Sequence, residues 1–452
     1  MNHIGAIVFF FCTFLPLFHM FHALPFFSEG RRKVKPRIPE EGVSILIPCY
    51  NENYILETTL KGLLQLDYRH QEIIFINDGS TDNTFEVLYE LLDLVPLHWE
   101  KQHDLPHKPI VDFYQSKIYP EIFLLDKVNG GKADALNAGC NFATKPIIVT
   151  LDADSILDQK ALKEVNLAFH NPNVIAGGGM VHILQGKNMH DINLNNKWLI
   201  SLQIFEYLKG FYIYKSSLAR LNALAIISGA FGVFRKSILL ELGGYRETLG
   251  EDIDITLRFQ QWILKHPGSK MLFIPDAICY TECPESWRDL FKQRIRWQKA
   301  FVDCVLHFWG FLARTIFHRI VSFFLLFDAF FMGTVATIVT TCVLTASFFM
   351  PQADMLQAIT AYFIGSLILN FIYNLFTIYI SYSEGVRFKG RNKWRLILLI
   401  FIDIFLYRFV TLFFIFYGTI AYVFKPTGWN KVARTGRDYQ IHETNTRGEH
   451  IG

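Results

Sequence analysis

The chain has 452 residues, too many for one compact core, and its 44 Lys and Arg nearly balance 41 Asp and Glu at a formal net charge of +3. That balance excludes the strongly basic footprint of a nucleic-acid-binding protein. A hydrophobic content of 51%, with 43 Phe, is more than a wholly soluble fold readily hides, and it directs attention to a membrane.

Residues 4–27, IGAIVFFFCTFLPLFHMFHALPFF, are long enough to span a bilayer. They lack the positive leader and small-residue cleavage site of a secretory signal, and the cationic run RRKVKPR (31–37) follows at once. The positive-inside rule predicts an amino terminus outside and residue 31 onward in the cytosol. The seven cysteines form no CxxC pair, and Cys279 and Cys283 lack companion ligands at zinc-like spacing, so all are read as reduced and structural.

VSILIP (43–48), EIIFIND (72–78) and PIIVTLD (146–152) read as short buried strands, separated by helical stretches at 55–66 and 131–143. Alternating strands and helices predict a doubly wound α/β sheet, whose ligands gather beyond the carboxyl ends of the strands. Each strand ends in polar residues: Tyr50, Asn51 and Glu52; Asn77 and Asp78; Asp152 and Asp154. On a continuing strand, Asp152 and Asp154 would emerge from one face and repel unless a cation sits beside them. Taken alone, Asp-x-Asp after a strand is more often a turn or a helix cap.

The segment 95–121 reads as a polar excursion, and its scattered histidines show no ligand spacing. Gly177–Gly179 lacks a lysine at phosphate-loop spacing, which favours close backbone packing. Lys132 follows two glycines at a helix start and could reach a phosphate. The stretch 198–215 is amphipathic to apolar, suited to a membrane surface or to packing on the domain. Further apolar stretches lie at about 319–350, 355–382 and 396–423. A third crossing there would leave the basic tail 425–437 outside, against the positive-inside rule, unless 396–423 lies partly in the interface. Asp403 and Arg408 inside the last stretch need partners or a polar channel.

Seven short stretches then occur in order: IPCYNE (47–52), NDGSTD (77–82), NGGKADALNAG (129–139), LDADS (151–155), SGAFGVFRK (228–236), GGYRETLGEDIDITLR (243–258) and QRIRW (293–297). Together they resemble the membrane-embedded family 2 glycosyltransferases of the poly-N-acetylglucosamine, hyaluronan, chitin and cellulose synthase type. The bacterial poly-N-acetylglucosamine synthases are the nearest likeness, over about residues 40–300. The resemblance implies an α/β, doubly wound GT-A (nucleotide-diphospho-sugar transferase) domain at 38–300, inserted between α-helical transmembrane segments. A transmembrane helix at 1–30 would precede it; interfacial and transmembrane helices at 301–424 and a basic tail at 425–452 would follow.

It also implies roles. Tyr50, Glu52, Asp78, Lys132, Asp152, Gln293 and Arg296 would bind the nucleotide sugar, with Tyr50 and Asp78 at the uracil and Lys132, Gln293 and Arg296 at the diphosphate. Asp154, with Asp152, would hold Mg²⁺ or Mn²⁺, hard cations that prefer oxygen. Asp252 would be the general base of an inverting displacement, with Gly250 in place of the threonine common before the acidic pair. Ser228, Gly229 and Trp297 would line the acceptor side.

The implied partners are a UDP-sugar, with UDP-N-acetylglucosamine favoured, a growing polysaccharide or lipid-linked acceptor, membrane lipid and a small accessory membrane subunit, with no nucleic acid. The implied setting is a multi-pass plasma-membrane protein with a cytosolic catalytic domain. Two alternatives stand: a single-sugar transferase acting on a lipid-linked acceptor, and a non-catalytic sugar-nucleotide- or polymer-binding membrane protein. The second predicts loss of Asp252 or of the Asp-x-Asp pair, and both are present.

Overall fold

The computed structural model describes residues 3–30, 38–185, 187–188, 191–194, 197–339, 353–390 and 393–424. The basic run 31–37 and the tail 425–452 lie outside the described residues, as does Cys342. The other six cysteines are free thiols.

Ten strands form one sheet. They are β1 Val43–Cys49, β2 Gln71–Asp78, β3 Leu94–Pro96, β4 Ile110–Ser116, β5 Ile122–Lys127, β6 Ile147–Leu151, β7 Ser155–Leu157, β8 Val174–Ile183, and, beyond β9 Lys187–Asn188 and β10 Asp191–Asn193, β11 Phe231–Arg235 and β12 Lys270–Thr281. The spatial order is β3-β4-β5-β2-β1-β6-β11-β8-β12-β7. At its centre β5, β2, β1 and β6 run parallel, and β4 and β11 add antiparallel on either side. β1 has β2 on one side and β6 on the other, so the order reverses beside it and a crevice opens at the strand ends. The expected α/β architecture is present, with a mixed rather than wholly parallel sheet.

The central strands are apolar throughout because both faces are covered. Ile45, Leu46, Ile47 and Phe75 are fully buried, each such side chain stabilising the fold by about 1.5–3 kcal/mol. The glycines of β8 serve close packing: a Cβ on Gly179 would collide with the Phe231 ring and the Ala277 carbonyl.

Helices α1 (His3–Gly30), α2 (Leu56–Leu64), α3 (Thr84–Leu92), α4 (Lys132–Phe142) and α5 (Ala161–Phe169) come first. α6 (Trp198–Lys209) runs through a π-helical turn, Gly210–Lys215, into α7 (Ser216–Arg220). α8 (Lys236–Glu241), α9 (Glu251–Lys265), α10 (Trp287–His307) and α11 (Trp309–Thr315) complete the domain side. Then come α12 (Ile320–Val339), α13 (Ala353–Ser383) and α14 (Trp394–Phe424). A short strand β13, Arg387–Lys389, between α13 and α14 pairs with β10.

Three helices are long and apolar enough to cross a membrane by length and composition: Ile320–Val339, Ile364–Ser383 and Trp394–Phe424. The apolar segment Phe10–Phe26 of α1 joins them, packing on α7, α12 and α13. α6 contacts β8 on one side and α13 and α14 on the other, so it cements the sheet to the apolar helices.

Polar pairs lock this bundle. Lys209 of α6 donates to both carboxylate oxygens of Asp403 at 2.8 Å, and Asn374 of α13 donates at 2.9 Å. Asp403 therefore pairs across elements rather than with Arg408. In α1, His19 Nε2 donates to Asp328 of α12, leaving Nδ1 to accept from the Ser217 hydroxyl of α7, both at 2.9 Å.

Candidate active site

The loops after β1 and β2 are knitted together. Asn51, with φ of 57°, accepts from Thr81 N at 2.7 Å, its own N–H donates to Ser80, and Glu52 N donates to Thr84. Tyr50 and Glu52 are thereby held, half-buried, at the carboxyl end of β1.

Asp78 sits buried at the end of β2. Its Oδ1 accepts from Lys127 Nζ at 2.5 Å and Gly130 N at 3.0 Å, and Oδ2 accepts from Gly131 N at 2.7 Å. Lys127, itself fully buried, also pairs with Asp134 at 2.5 Å. The carboxylate expected at a uracil thus grips the 129–131 turn. Gly131, at φ of 88° and ψ of 171°, takes a backbone conformation that only glycine adopts readily. The turn ends by aiming Lys132, the first residue of α4.

Lys132 is the hub of the site. Its Nζ lies 2.6 Å from Asp152 Oδ1, 3.2 Å from Glu251 Oε1 and 3.3 Å from the Gly229 carbonyl. Four separated stretches, around residues 132, 152, 229 and 251, meet at one ammonium. Burial works against its charge, but Asp152 and Glu251 outweigh that and hold its pKa above the ordinary lysine value. A Cβ on Gly229 would stand 2.9 Å from the Lys132 Nζ, so the ammonium lies against this backbone.

Asp252 opens α9 beside this hub. Its Oδ1 accepts from Ile253 N, and its carbonyl accepts from Thr256 Oγ1, which in turn accepts from Ile227 N. Burial, then the neighbouring Glu251 charge, push its pKa up to about 6 against the pull of Lys132. Lys215, on the π-helical turn, also faces Asp252; burial lowers its pKa to about 8 while Asp252 raises it. Lys132, Ser228, Gly229, Glu251 and Asp252 line a small cleft of about 10 Å³, room for about one water.

Asp152 and Asp154 stand in the turn between β6 and β7, not on a strand, so strand alternation does not relate them. Asp154 is buried, with Ser155 Oγ and Thr281 Oγ1 each 3.4 Å from its Oδ1. No group of three or more His, Cys, Asp or Glu able to hold a metal occurs among the described residues.

QRIRW lies on α10, capped by Ser286, which accepts from Asp289 N. Arg294 is the buried member: it donates to Glu206 at 2.8 Å and to Gln293 at 3.0 Å and lies 4.1 Å from the Trp297 ring centroid. Tyr407 of α14 donates to the same Glu206 oxygen at 2.8 Å. Arg296 is half-buried and pairs with no carboxylate among the described residues, and Trp297 is 40% exposed. Further along α10, Ala300 and Cys304 pack on Gly250, which ties this helix to the start of α9.

The geometry meets its relatives in sequence. Residues 44–105 match the family model described as Glycosyl transferase family 2, and residues 110–300 that described as Glycosyltransferase like family 2. A poly-beta-1,6-N-acetyl-D-glucosamine synthase of Staphylococcus epidermidis is 33% identical over 273 residues, 60% of this chain and 57% of that protein. A synthase of the same name from Staphylococcus aureus (strain COL) is 33% identical over 268 residues, 59% of this chain and 56% of its own. The match thus spans little more than half the length of these relatives. Among solved structures, mannosyltransferase PcManGT from Pyrobaculum calidifontis, in complex with GDP-Man and Mn²⁺, superposes with a TM-score of 0.53 at 17% identity, covering 85% of this chain and 99% of that one. At that identity the likeness is one of fold. With both family matches and the convergent Lys132 hub falling between residues 44 and 300, that part of the chain is a family 2 glycosyltransferase domain.

Proposed function

We propose that the protein is an inverting β-glycosyltransferase that builds a polysaccharide from a UDP-sugar, with UDP-N-acetylglucosamine the donor. The observation that carries this reading is the convergence of Asp152, Gly229 and Glu251 on the Lys132 ammonium, with the Asp252 carboxylate beside it. The names of the staphylococcal relatives support the choice of sugar and polymer.

Asp252 takes the proton from the acceptor hydroxyl as that oxygen attacks the anomeric carbon and the diphosphate leaves from the opposite face. A base with a pKa near 6 is mostly ionised at neutral pH yet basic enough to hold a proton as the bond forms. Lys132 gives up its carboxylate contacts to the incoming diphosphate, joined by Gln293 and the Arg296 guanidinium, which can clamp phosphate oxygens bidentately. Tyr50 and Glu52 border the nucleotide pocket, and Asp78 shapes it by fixing the 129–131 turn. Ser228, Gly229 and Trp297 face the acceptor sugar.

Asp152 and Asp154 offer oxygen donors only, a set suited to Mg²⁺ or Mn²⁺; they would hold such an ion, which would supply positive charge against that of the departing diphosphate. The apolar helices support a multi-pass plasma-membrane protein, with the domain on the cytosolic side where sugar nucleotides are made and the helices carrying the polymer outward. A small accessory membrane subunit fits this arrangement.

The test is sugar incorporation by washed membranes containing the protein, given labelled UDP-sugars one at a time with Mg²⁺, with products sized. Wild type yields long polymer from UDP-N-acetylglucosamine. Asp252→Asn loses about 10²–10⁴ of that rate, the usual worth of a positioned base, and Trp297→Ala shortens the product. A short lipid-linked product would overturn the polymer assignment, and no incorporation from any donor would overturn the enzyme reading.

A further inference from the structure

A second cavity lies away from the catalytic hub. It measures about 350 Å³ and is lined by Arg246, Arg258, Gln261, His307, Phe311 and Arg314, among others, with no carboxylate in its wall. Arg246 and Arg258 both donate through Nε to Asp254, at 2.8 and 2.9 Å, and Asp254 is wholly buried behind them. Arg314 donates Nε to the Gly310 carbonyl at 2.7 Å and pairs with no carboxylate among the described residues. Three guanidiniums facing one acid leave the cavity positively charged. The Arg246 side chain remains 38% exposed, and Arg314 is exposed.

The cavity sits where α10 turns into α11, directly before α12. Around it Trp309, Phe317 and Ile320 are exposed at 42%, 92% and 47%, interleaved with Arg314, His318 and Arg319. Exposed aromatic and aliphatic side chains among basic ones mark the headgroup level of a bilayer. Planar guanidinium forks match phosphate oxygens, and a basic recess beside a membrane helix suits a phosphorylated headgroup.

We infer that this cavity binds a phosphate-bearing anion, supplied by the headgroup of an anionic phospholipid at the foot of α12. The lipid source rests on the reading that α12 enters the membrane there; the phosphate chemistry does not. The site also touches the catalytic helix, because Arg246, which would meet the phosphate, also holds Asp254, two residues beyond Asp252 on α9, whereas Arg258 is spent on Asp254 and on the Leu242 and Gly244 carbonyls.

The test uses the full-length protein, purified and delipidated, with binding followed by native mass spectrometry and by tryptophan fluorescence. The probes are phosphatidylglycerol, phosphatidylcholine and inorganic phosphate. Saturable binding of phosphatidylglycerol over phosphatidylcholine is expected, about fivefold weaker in Arg314→Gln, the effect of one basic residue at an anionic surface. His307→Gln weakens it as well, whereas Arg319→Gln, which removes the same charge outside the cavity, leaves it unchanged. Binding of inorganic phosphate that depends on Arg314, without preference for phosphatidylglycerol, would support the anion site and overturn the lipid source. Equal losses in Arg314→Gln and Arg319→Gln would reduce the effect to surface charge and overturn the site, as would no binding of either probe. Neither readout needs turnover, so the result stands apart from the catalytic assignment.

Discussion

Asp252 carries opposite signs for activity and stability. Its pKa of about 6, raised first by burial and then by Glu251, exceeds the value of about 3.9 for an unfolded aspartate. In its proposed role as the base Asp252 must be ionised, so kcat/KM is expected to fall as pH drops below about 6. The folded state binds the extra proton between the two values, so the stabilisation is present at low pH and is lost as pH rises through about 6. Asp252→Asn keeps the neutral form at every pH. It therefore melts at or above the wild-type temperature at neutral pH while inactive, and a marked fall in Tm would contradict the buried-base account. At this scale the sequence showed Lys132, Asp152 and Asp252 because each sits in a compact motif. It did not show Lys127 or Lys215. Lys127 closes the apolar strand IFLLDK and lies in register with Asp78, a partner that only strand pairing reveals. Lys215 comes within range of Asp252 through the π-helical turn, which has no local signature.

Among elements, the central strands and the helices that follow them were legible from continuous β-branched runs and helical spacing. β4 was not. It forms part of the excursion read as a polar loop, because IVDFYQS lies towards a sheet edge with exposed positions and lacks a clean apolar face. QRIRW was legible as a helical motif, but the division of labour within it was not. The two arginines look alike in sequence, and only packing assigns Arg294 to Glu206 and Tyr407 while leaving Arg296 with no carboxylate partner among the described residues. Arg294 fastens α10 to α6 and, through Glu206, to α14. Arg294→Ala should cost about 2 kcal/mol, less than a fully buried pair because the Glu206 end is 32% exposed. Thermal unfolding in detergent checks this, and Arg296→Ala should leave Tm unchanged while weakening nucleotide binding.

At the scale of the whole molecule, domain and apolar helices are joined by charge as well as by packing. Asp403 was expected to line a channel or to pair with Arg408, since a charge in an apolar stretch needs a reason. Its partner, Lys209, is 194 residues away, beyond any local reading. Lys209→Met leaves Asp403 with Asn374 alone and should destabilise the protein by about 3 kcal/mol, whereas Lys209→Met with Asp403→Leu should recover most of that loss. A double variant no more stable than the single one would mean that the pair has a role beyond fastening.

The contact between His19 and Asp328 joins residues 309 positions apart, and with both helices in a bilayer it imposes an order on biogenesis. α1 is synthesised long before α12. A histidine can wait in the membrane uncharged, but an aspartate there is costly from the moment it enters. Synthesis from the amino terminus supplies the tolerable group first and the costly one second, so Asp328 arrives to find its hydrogen-bond donor already in place. In a bilayer α1 would thus hold the polar partner of α12 in readiness before α12 enters. Removing it would strand α12 during translocation, even with the catalytic domain fully folded.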